Sequence, residues 1–159
     1  MTPGARIAAA IDILSALEAG GRPADDIAAD YFRRRRYIGS KDRAQVSAHV
    51  YVVLRHRAEI DWWIARASKG EVAPDARSRV FAALLLIDHW KADDIAASCD
   101  GDRFRPLPLG MAEQRLVQGL AGRSLHHPRM PRWAANDLPE APAVKALCDL
   151  FGRPGIDQQ

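Results

Sequence analysis

Four consecutive arginines, Arg33, Arg34, Arg35 and Arg36, stand between Tyr31-Phe32 and Tyr37. Lys41 and Arg43 follow Ser40, and from Arg33 to Arg57 there are eight Lys or Arg against one acid, Asp42. Each guanidinium is a planar fork of donors suited to phosphate oxygens, and it stacks on unpaired bases. The flanking aromatics add stacking surface. The predicted helix start at Ser40 adds free N–H groups and a positive dipole end, which also favour phosphate. This chemistry fits a polyanion. Contact of three to five of these cations with phosphates would make binding fall steeply with salt. Four successive residues sweep every side of a helix, so one or two of the arginines must face inward or pair with acids. A solvated charged face and a protein-binding surface are the other two readings of the same run.

Other reactive residues form no comparable group. His49, His56, His89, His126 and His127 match no metal-ligand spacing. Histidines 126 and 127 read as surface loop. Cys99 and Cys148 are far apart and read as ordinary reduced thiols. Trp62-Trp63 reads as packing at the core and its rim, since adjacent helical residues face different ways. Asp93-Asp94 reads as charge at a helix N-terminus. Gly20-Gly21 follows a helix and not a strand, so it lacks the context of a dinucleotide fold. No catalytic or metal-binding residues are expected, and the chain does not read as a complete enzyme.

Helices must position the basic run. Thr2 and Pro3 are cap and first-turn residues for a helix whose apolar face is Ile7, Ile11, Leu14 and Leu17. Gly20-Gly21 ends it. A second helix starts at Arg22-Pro23, carries Asp25 and Asp26 in its first turn, and runs into the arginines. Ser40 is expected to cap a third. No Gly or Pro interrupts residues 41–68, so one helix of roughly 40 Å is expected there, with Arg57 and Asp61 placed to pair. Lys69-Gly70 breaks it, and Pro74-Asp75 opens a nearly all-apolar helix that should be central. A short helix over residues 92–99, a loop over 100–110 and a helix over 111–120 follow. A proline-punctuated stretch, a short helix over 144–151 and a frayed tail complete the chain. No run alternates as a strand would. The expectation is an all-α bundle of six to eight helices.

Composition agrees. The 159 residues are 48% hydrophobic and 27% charged, which suits one soluble domain. Net charge is a modest +3, but it is unevenly spread: the segment from Asp88 to Asp102 is acidic. The chain lacks both an apolar run near 18 residues and a signal-peptide pattern, so no membrane association and a cytoplasmic location are expected.

The order of features resembles the N-terminal, NusB-like domain of bacterial ribosomal RNA cytosine-5 methyltransferases of the RsmB (Sun/Fmu) type. Carrying the resemblance are Pro3-Gly4-Ala5-Arg6, Tyr31-Phe32-Arg33-Arg34, Gly39-Ser40-Lys41-Asp42-Arg43, Val50-Tyr51 and Val53-Leu54-Arg55. Downstream, Asp100-Gly101, Pro106-Leu107-Pro108-Leu109, His127-Pro128 and Met130-Pro131 support it. The resemblance implies a NusB-like RNA-recognition domain over residues 1–125 and a linker leading toward a methyltransferase domain over 126–159. It adds Arg6 to the RNA-binding set of Arg33, Arg34, Arg35, Arg36, Lys41 and Arg43. S-adenosylmethionine and a catalytic cysteine would belong to that following domain; the Pro-Cys motif and cofactor glycine loop have no counterpart here. The chain is then either a fragment or a free-standing domain that binds without methylating. The alternative within the resemblance is an adaptor in transcription antitermination that binds a protein partner, as NusB does.

Overall fold

A computed structural model describes residues 1–134. Among them are seven helices and no strand: α1 (Pro3–Glu18), α2 (Ala24–Arg33), α3 (Ser40–Arg55), α4 (Arg57–Ser68), α5 (Ala76–Leu86), α6 (Ala92–Ser98) and α7 (Met111–Leu120). The all-helical expectation is met. The expected helix over 144–151, the tail and Cys148 lie outside the described residues. None of these helices is long and apolar enough to cross a membrane.

The local signals act as the residue chemistry requires. Thr2 Oγ1 accepts from the Ala5 N–H at 3.1 Å and caps α1, with Pro3 in its first turn. Gly20 and Gly21, at φ +76° and +85°, turn the chain away from it. Asp75 and Ser78 form a reciprocal capping box on α5. That helix is buried on nearly every side and packs against α1, α3, α4 and α7. Ile7, Ile13, Val46, Ile60, Ile64, Phe81, Leu85 and Leu116 are among the buried side chains of its core. Trp63 is buried and Trp62 packs partly exposed against the core, as adjacent helical positions demand.

Three details differ from the sequence expectation. The long helix over residues 41–68 is two helices. His56, at φ −117° and ψ 24°, leaves helical geometry, and its Nδ1 lies 3.1 Å from Glu59 Oε1 in the new first turn. The break lets α3 pack on α1 and α5 while α4 packs on α5 and α7. Second, Asp61 does not pair with Arg57. It accepts from Arg79 at 2.8 Å, because α5 brings a buried guanidinium to it. Third, the caps shift by one residue. Pro23 is the N-cap of α2, and Gly39, not Ser40, is the N-cap of α3, so no side chain caps α3.

The stretch after α7 returns to α4. Trp63 Nε1 donates to the Leu125 carbonyl at 2.7 Å, and the His127 ring lies 5.2 Å from both tryptophan rings.

Candidate nucleic-acid interface

The arginine run straddles a helix end. Arg33 is the last residue of α2 and Arg34 its C-cap. The chain then turns tightly, with the Arg35 N–H bonded to the Phe32 carbonyl and the Ile38 N–H to the Arg35 carbonyl. Ile38 is buried and anchors the turn. The four arginines therefore do not share a helical surface; the turn fans them out.

Their partners differ sharply. Arg33 pairs with Asp30 at 2.6 Å, yet its side chain stays 67% exposed. Asp30 also binds Arg22, whose hydrogen bond holds the carboxyl below its usual range. Arg35 lies over the Tyr31 ring at 3.8 Å and donates to the Tyr31 carbonyl at 3.4 Å. Burial first, and then Asp12, push the Tyr31 hydroxyl well above the usual phenol range; it donates to Asp12 at 3.2 Å. Arg43 is internal in role: its Nε donates to the Ile38 carbonyl at 2.9 Å, and its guanidinium stands over Phe32. Arg6 donates to the Met1 carbonyl at 2.8 Å and pairs with Asp42 at 3.3 Å. Arg34, Arg36 and Lys41 are exposed and have no carboxylate partner among the described residues.

The expected site residues thus fall into two sets of three, with Arg33 between them. Arg6, Arg35 and Arg43 tie the turn and the first turn of α3 to the bundle. Arg34, Arg36 and Lys41 point their charge at solvent, and Arg33 is shared with an acid. The Arg6–Asp42 pair brings the start of α1 beside the start of α3, so the distant Arg6 does join the cluster. The first turn of α3 has no side-chain cap, which leaves backbone N–H groups for water or an anion.

Residues 100–107, which the sequence marks as a loop and not as part of the basic site, complete this end of the molecule. Phe104 comes within 5.9 Å of Tyr37, ring centre to ring centre. Arg103 lies over the Phe104 ring at 4.9 Å, is exposed, and has no carboxylate partner among the described residues. Arg105 pairs with Asp100. Gly4 sets the approach: a Cβ there would stand 2.5 Å from the Ser98 carbonyl oxygen and 3.2 Å from Arg105 Cγ. Between α1, the 34–39 turn and this loop lies an open cleft of about 380 Å³.

The described residues include no group of three His, Cys, Asp or Glu able to hold a metal ion. Cys99 is buried, and that burial pushes its thiol up to about 11, so it is protonated at neutral pH and unsuited to act as a thiolate nucleophile. Compared with known proteins, the chain matches no family model, no curated protein and no solved structure.

Proposed function

We propose that this chain is an RNA-binding module that recognises ribosomal RNA on behalf of a cytosine-5 methyltransferase. One observation carries the binding half of that reading. Arg34, Arg36 and Lys41 present unneutralised charge within eight residues of folded chain, on a turn that Arg35, Ile38 and Arg43 tie to the bundle. The resemblance of Gly39-Ser40-Lys41-Asp42-Arg43 and its neighbours to the RsmB-type domain supplies the ribosomal target and the methyltransferase context. In this reading S-adenosylmethionine and the catalytic cysteine lie outside these residues, and Cys99 takes no part.

The adaptor reading retains one support, the exposed Leu107 at the cleft. Capture of a protein partner that survives nuclease treatment would favour it.

Salt titration tests the RNA reading. Three phosphate contacts should make affinity for a ribosomal RNA fragment fall roughly 20- to 40-fold between about 50 and about 200 mM salt. The triple variant Arg34→Ala, Arg36→Ala, Lys41→Ala should lose that dependence and bind weakly at low salt. Unchanged affinity at low salt would remove these cations from the site.

A further inference from the structure

The cleft has features that phosphate binding alone does not need. Tyr37 and Phe104 are 63% and 57% exposed and border it together. Phe104 sits at φ +66°, in the left-handed region where a bulky residue is strained and glycine is not. The loop that carries it is closed by the Gly101 N–H to the Pro106 carbonyl at 3.0 Å and the Arg105 N–H to the Asp102 carbonyl at 2.9 Å. Asp100 Oδ1 and Asp102 Oδ1 accept further loop N–H groups. A strained, solvent-facing ring contributes little to the core.

The cleft's chemistry is mixed in a particular way. Its α1 wall carries Ala5, Ala8 and Ala9, small enough to admit a flat group. Arg35 and Arg105 stand at it as cations, and the Asp12 carboxylate as an acceptor. The volume lies within the range of roughly 300–1,000 Å³ found for small-molecule sites. A flat heteroaromatic ring with N–H donors and an attached phosphate matches all of these.

We propose that this cleft receives one unpaired nucleobase of the bound strand, stacked on the Tyr37 and Phe104 rings. Asp12 accepts from the N–H edge of the base. The phosphates on either side of the base run toward Arg34, Arg36 and Lys41 in one direction and Arg103 in the other. The RNA must be single-stranded at this point, because a paired base cannot leave its stack without cost. This inference rests on the RNA reading above and adds to it a base pocket distinct from the phosphate-binding cations. A cleft bordered by two exposed aromatic rings, with cations at its rim, favours nucleic acid over an apolar peptide.

The test uses a single-stranded RNA of about 12 nucleotides carrying one fluorescent aminopurine, and a duplex of the same length. Two variants are made. Phe104→Gly removes the ring and suits the backbone, so folding is retained. Tyr37→Leu keeps an apolar side chain without an aromatic face. The expected result is a loss of single-strand affinity of about 5- to 150-fold for each variant, with loss of the stacking quench. Duplex affinity and salt slope stay as in the unaltered protein. Unchanged single-strand affinity and quench would overturn the base pocket while a retained salt slope left the phosphate site standing. An equal loss on duplex and single strand would also overturn it. Absence of salt-dependent binding to either RNA by the unaltered protein would sink the RNA reading and this inference together.

Discussion

His49 shows how one side chain links burial to pH. It sits on α3 and lines a tight space with Val53, Val80 and Asp88. Burial, and then the charge of Arg6, lower its pKa to about 4. The unfolded chain takes up that proton near 6.5, the folded chain only near 4. Stability from this group is therefore complete above about pH 6.5 and is lost as pH falls toward 4, by up to about 3 kcal/mol. Asp88 runs the other way, since burial holds its carboxyl above the usual range. Urea midpoints at neutral and mildly acid pH should converge less for the protein as it stands than for His49→Gln, whose acid loss should be smaller. Equal losses would show that His49 accepts its proton without disturbing the fold. At this scale the sequence displays which residues are charged and not which charges are spent. Arg34 and Arg35 are neighbours of identical type, yet one faces water and the other lies on Tyr31. Only the turn between α2 and α3 separates their fates.

Elements were legible where capping and apolar spacing agree. The helix expected over residues 111–120 is α7, with the Glu113 carboxylate accepting from the Gly110 N–H at 3.0 Å. The all-apolar stretch from Val80 to Leu86 placed α5 at the centre because two turns of helix without a polar side chain have nowhere else to go. The break at His56 was hidden, since neither Gly nor Pro marks it; it arises from the different neighbours that α3 and α4 must meet. The pairing of Tyr37 with Phe104 was hidden for a similar reason. It depends on how closely α1 approaches the end of α6, and that distance is set by Gly4. Gly4→Ala should push the two apart, because the obstructing atom is a backbone oxygen that cannot swing aside. The expected cost is about 1–3 kcal/mol. The 100–107 loop would be displaced with α6, so the proposed base pocket predicts weaker single-strand RNA binding as well. A thermal midpoint equal to that of the unaltered protein would mean the contact relaxes freely.

At the scale of the whole molecule, one buried cation joins three helices. Arg79 on α5 is only 8% exposed; it pairs with Asp61 of α4 at 2.8 Å and with Glu18 at the end of α1. The two carboxylates keep 31% and 30% of their side-chain surface in water. That asymmetry fixes the order of the mutational costs. Arg79→Met leaves two acids that water can still reach, so the loss should be moderate, about 1–3 kcal/mol. Replacing both acids, with Asp61→Ala and Glu18→Ala, strands a guanidinium beneath the surface with no counter-charge. Breaking a buried pair in that sense costs about 3–5 kcal/mol. Restoring balance by combining all three substitutions should recover much of the stability, since an apolar side chain then occupies the space without a charge to solvate. Denaturant unfolding of the three proteins would measure this. An Arg79→Met variant less stable than the double-acid variant would show that the guanidinium holds α1, α4 and α5 together through its packing and not its charge.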